Sequence, residues 1–71
     1  MNSEAALIIH SLMSNRKVYK KPTGNDITTK YSLESIKTEL DNETITSAEI
    51  IAIAKAVCKG FETVCPYIDK M

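Results

Sequence analysis

A chain of 71 residues, with 44% hydrophobic and 25% charged side chains, is too short for more than one domain and too apolar for disorder. Nine Lys or Arg cancel nine Asp or Glu, yet residues 1–37 hold six basic against three acidic side chains and residues 38–71 hold three against six. The resulting +3 and −3 halves suit head-to-tail self-association, or one face that meets phosphate or an acidic partner. With no apolar run near the ~18 residues of a membrane span and no basic segment leading an apolar core, an intracellular protein with no membrane partner is expected.

The first predicted element is a helix over about 3–14. Asn2 or Ser3 can cap it, Glu4 complements its positive end, and Ala5, Ile8, Ile9 and Leu12 recur at three and four to form a broad apolar stripe. Ser14-Asn15 offers an exit, followed by the cations Arg16 and Lys17. His10, the single histidine, has no second imidazole or paired carboxylate at ligand spacing and reads as a surface or partly buried helix residue.

RKVYKKPTGNDITTKY, Arg16 to Tyr31, reads as strand, so a β-hairpin is predicted over about 17–31. Val18, Ile27 and Tyr31 are the apolar residues of its arms, and Pro22, Gly24 and Asn25 provide the means of reversal at the tip. Five of its residues are basic (Arg16, Lys17, Lys20, Lys21, Lys30) against the one acid Asp26, making a basic finger.

Ser32 then caps a short helix over about 33–41, with Glu34 in its first turn, Leu33, Ile36 and Leu40 as its stripe, and Lys37 and Asp41 placed to pair outside. Asp41-Asn42-Glu43-Thr44 is turn-forming. The next start is doubly specified: Thr46-Ser47-Ala48-Glu49 is a capping box, and Ile45 and Ile50 stand at staple positions. Ile50, Ile53, Ala54, Val57, Phe61 and Val64 carry that helix over about 47–64, with Gly60 a cost within it and Pro66 its stop. Ala52, Ala56 and Cys58 line a small-residue surface that either packs inside the monomer or mediates self-association. Tyr67-Ile68 either folds back onto the core or docks on a partner. On an unbroken helix Cys58 and Cys65 stand two turns, about 10 Å, apart, beyond disulfide reach, and are expected as buried thiols unless the chain breaks near Gly60.

Catalysis, cofactors and metals find no support. The two glycines, Gly24 and Gly60, make no phosphate loop, no Ser-His-acid set can be assembled, and the two cysteines have no neighbouring ligand. A helix-turn-helix over residues 32–58 fails because its second helix begins Ser47-Ala48-Glu49-Ile50, acidic and apolar where base readers belong. Nonspecific DNA contact falls instead to Arg16, Lys17, Lys20, Lys21 and Lys30, with Tyr19 for stacking.

The stretch AALIIHSLMSNRKVYKKPTGNDITTKYSLESIKTEL, within about residues 4–41, resembles the small phage head-to-tail joining proteins of the gpW type. The likeness lies in the first helix ending Leu12-Met13, the pair Ser14-Asn15, basic Arg16-Lys17, Val18 opening a strand, Gly24 at a tip, Ile27 in the return, and Ser32 capping a helix with Leu33, Ile36 and Leu40. It implies two antiparallel helices with one β-hairpin, and a non-enzymatic virion assembly protein in the host cytoplasm or virion, bound to a portal or other ring. The capped helix from Ser47 departs from that pattern.

The reading is therefore a single α+β domain over 1–71: helix, β-hairpin, helix, helix. Its expected core is Ile8, Ile9, Leu12, Val18, Ile27, Leu33, Ile36, Leu40, Ile50, Ile53, Val57 and Phe61. Its expected function is head-to-tail joining; the alternative is a small regulatory or inhibitory protein that binds and blocks a host or cellular protein. A protein partner is expected in either case.

Overall fold

A computed structural model describes residues 3–15 and 17–70. Its elements are α1 (Ser3–Met13), a 3₁₀ turn (Ile27–Lys30), α2 (Leu33–Leu40), α3 (Ser47–Gly60) and α4 (Pro66–Asp69). No strand occurs among the described residues, so the expected α+β class and its β-hairpin are replaced by an all-helical fold.

The reversal expected near Gly24 is present, for the chain bends over residues 24–26 and Gly24 takes φ 121°. The ladder is absent because both arms have closer partners. Asp26 caps the return arm: its Oδ1 accepts from the Thr28 N–H at 3.4 Å, and its carbonyl accepts from the Thr29 hydroxyl at 2.7 Å and the Thr29 N–H at 3.1 Å. Such local side-chain bonds compete with extended pairing even in a β-branched run. The outgoing arm donates its Lys20 N–H to the Gly60 carbonyl at 2.9 Å, one of the acceptors a helix end leaves unused. A lone two-stranded ladder is marginal, and it offers these groups nothing better. Residues 17–23 form an irregular strap at the end of α3, and Val18 and Ile27, expected in the core, are 80% and 55% exposed.

α3 is the axis of the molecule. Thr46 Oγ1 accepts from the Glu49 N–H at 3.2 Å, while Glu49 Oε1 accepts from that hydroxyl at 3.0 Å, so the carboxylate closes the box through the side chain. Ile50, Ile53, Ala54, Ala56 and Val57 are buried essentially completely, with Ala52 and Cys58 close behind. α1 covers one side through Ala5 and Ile9, the 3₁₀ turn a second, and α4 a third through Ile68. The small-residue surface is thus covered by the chain itself. Of the remaining expected core, Ile36 and Phe61 are buried, whereas Ile8, Leu12, Leu33 and Leu40 are half-buried.

α2 starts at a reciprocal cap: the Ser35 N–H donates to Ser32 Oγ at 3.2 Å and the Ser32 N–H to Ser35 Oγ at 2.8 Å. Asp41 serves as its C-cap, and the expected Lys37–Asp41 pair does not form.

α3 stops at Gly60 rather than near Val64. The Thr63 N–H reaches the Cys58 carbonyl at 2.8 Å and the Glu62 N–H the Lys59 carbonyl at 3.1 Å, with Glu62 left-handed at φ 55°. This is a Schellman stop with glutamate where glycine usually stands. It turns the chain back, so the Cα atoms of Cys58 and Cys65 lie 6.3 Å apart and their sulfurs form a disulfide. The expectation of two free thiols is corrected accordingly: it assumed an unbroken helix.

Candidate protein-docking face

α1 spends its innermost line, Ala5 and Ile9, on α3 and keeps a second apolar line outside. Leu7 is 69% exposed, and Ile8 and Leu12 are half-buried beside it. On α4, Pro66 presets the first turn, Ile68 points into the core, and Tyr67 remains 54% exposed. Between the two helices run adjoining shallow grooves of about 340 and 360 Å³. Leu7 and Ile8 line both; Ser11, Leu12 and Cys65 extend one end, Glu4 and Tyr67 the other. From Glu4 to Leu12 the line measures about 12 Å at ~1.5 Å per residue, two turns of a helix laid alongside. Glu4 is the one charge on this lining.

The described basic positions lie elsewhere and do not form a finger. Arg16 lies outside the described residues. Lys17 and Lys20 border a cleft with Val18, Phe61 and Glu62, and Lys20 Nζ pairs with Glu62 Oε1 at 2.9 Å. That hydrogen bond, with the charge behind it, raises the Lys20 ammonium and lowers the Glu62 carboxyl from their ordinary values; both side chains are exposed. Lys21 is exposed, and Lys30 Nζ sits 5.1 Å from the Tyr31 ring centre in a cation–π contact. Tyr19, the expected base-stacking partner, is engaged inside the fold. Its ring meets Phe61 edge-on with centres 5.4 Å apart, its hydroxyl donates to the Tyr31 carbonyl at 2.7 Å, and burial pushes its phenol up.

A further groove of about 390 Å³ is lined by Lys55 and Lys59 together with Asp26 and Asp69, and the Lys59–Asp26 pair stands at 4.0 Å. Thr28 at its edge is 3% exposed, and its hydroxyl has no partner among the described residues. Two cations and two anions line this groove, so it concentrates no field of one sign. His10 is exposed on α1, and no cluster of three His, Cys, Asp or Glu able to hold a metal occurs among the described residues. No described helix is long and apolar enough to cross a membrane.

Comparison with protein-family models, curated proteins and solved structures gives no match. The likeness to head-to-tail joining proteins leaned on a β-hairpin that the described chain lacks, so the phage assembly role has no support from this fold. The α1–α4 face is hidden in the sequence because Ile8 and Leu12 fit the expected core stripe and Leu7 has no place in it. The available signal was an apolar line on α1 wider than one partner helix can cover.

Proposed function

We propose that this chain is a small non-catalytic binding protein of regulatory or inhibitory type, which docks a basic amphipathic helix of a cellular protein into the α1–α4 face. The observation that carries this reading is the juxtaposition of exposed Leu7 and Tyr67 across one apolar groove. Its two-turn length suits anchors spaced i, i+3 or i+4, and i+7. Glu4 at one end favours a Lys or Arg flanking those anchors. Burying a Leu side chain yields about 1.5–3 kcal/mol, so two central anchors suffice for a regulated, reversible complex. The proposed setting is intracellular.

The test is fluorescence anisotropy with a labelled amphipathic peptide of Leu and Lys. Saturable binding is expected, weakened about tenfold or more by Leu7→Lys and by Tyr67→Ala, and unchanged by Val18→Lys, a more exposed apolar residue beside Phe61. Equal binding by the Leu7→Lys and Val18→Lys variants would refute the proposal. So would sedimentation as a dimer that Leu7→Lys dissociates, because the occupant would then be a second copy.

A further inference from the structure

Cys65 lines the α1–α4 groove beside Leu7, Ile8 and Leu12, and its partner Cys58 is buried on α3. One bond therefore joins the wall of the docking face to the axis of the fold. Apart from that bond α4 is held mainly by one side chain: it is a single turn, Pro66–Asp69, with Ile68 as its one buried residue and the Asp69 N–H returning to the Cys65 carbonyl. Tyr67, the second anchor of the groove, sits on that turn.

Resting on the docking reading above, we infer that the Cys58–Cys65 disulfide is a redox gate: the oxidised form presents the α1–α4 groove, and reduction by a dithiol releases its α4 wall. The chemistry balances in two exchanges. A thiolate of the dithiol attacks Sγ of Cys65, the less buried of the two residues, and expels Cys58 as thiolate. The dithiol's second sulfur attacks the mixed disulfide and expels Cys65. Cys58 and Cys65 each gain a proton, and the reductant leaves as a disulfide carrying off no atom of the protein. In a reducing compartment such a bond is transient, which makes it a signal rather than a permanent brace.

The loop it closes has a sequence separation of 7. Loop-closure entropy for that length corresponds to about a 60-fold change in the opening equilibrium. Reduction should accelerate amide exchange by about that factor at Thr63 and Asp69, whose N–H groups bond the Cys58 and Cys65 carbonyls, while far-UV circular dichroism stays helical. The same change should weaken binding of the Leu/Lys peptide.

The experiment compares the oxidised chain, the chain in excess dithiothreitol, and the Cys58→Ser/Cys65→Ser variant, by residue-resolved exchange and by anisotropy. Faster exchange at Thr63 and Asp69 with weaker peptide binding supports the gate. Unchanged exchange at both amides overturns it, whatever the peptide does. Titratable free thiols in the air-oxidised chain also overturn it. Faster exchange with equal peptide binding in both redox states overturns the gate as a control on docking. Peptide binding in neither state sinks the docking reading itself and this gate with it. The dithiothreitol arm keeps the test decisive if the double variant does not fold.

Discussion

Gly60→Ala sets helix propensity directly against packing. Gly60 is the last residue of α3, and Gly24 is the only glycine with positive φ among the described residues, so Gly60 is needed for room rather than for backbone conformation. A Cβ there would lie within 3.0 Å of Tyr19 Cε2, Cδ2 and Cζ. The ring would have to leave, giving up the Phe61 edge contact and the hydrogen bond to the Tyr31 carbonyl. An aromatic pair contributes about 1 kcal/mol, a hydrogen bond about 1, and the lost burial of the ring about another 1. Against that loss of about 3 kcal/mol stands the gain from replacing helical glycine by alanine, about 1. A net loss of about 2 kcal/mol is expected, a fall of about 8–16 °C in the thermal midpoint at this chain length. Melting followed by far-UV circular dichroism measures it. In a Tyr19→Ala background the obstruction is gone, and the same Gly60→Ala change should reverse sign and stabilise by about 1 kcal/mol. A Gly60→Ala protein as stable as the parent, with Tyr19 in place, would refute the reasoning.

Glu62→Gly should raise the thermal midpoint by a few degrees, because φ 55° strains any residue with a Cβ; the exposed Lys20 pairing it gives up is screened by solvent and does not reverse the sign. Thr28→Val, which keeps the shape and removes a buried hydroxyl with no partner among the described residues, should stabilise by about 1 kcal/mol in urea titration; a destabilised variant would show that the hydroxyl is satisfied. Stability should decline in alkali through Tyr19. Its folded pKa is raised by burial, so its contribution is complete below the ordinary value of 10.0 and is lost as pH rises through the higher folded value. Tyr19→Phe should flatten that alkaline limb, measured by urea midpoints across the range, and an unchanged slope would assign it to another group.

Read as a sequence, this chain already determines where α2 and α3 begin, because those signals are local. Ser32 and Thr46 each bond an N–H three residues on, and the i, i+3, i+4 lines of Ile50, Ile53 and Val57 face inward whatever covers them. The partners of Arg16 to Tyr31 are not local, and there only the tertiary structure decides. Its β-branched and aromatic residues favour an extended, paired chain, but residues 17–23 form no strand, and the Lys20 N–H bonds a helix-end carbonyl forty residues away instead of a second arm. Gly60 likewise reads as a flaw within a helix until Tyr19 is seen lying over it. The left-handed turn at Glu62 has no glycine to announce it, and that turn alone carries Cys65 back to Cys58. Hydrogen bonds spanning three or four residues are written in adjacent side chains, whereas a strap, a close approach and a disulfide depend on which distant surfaces the folded chain brings together.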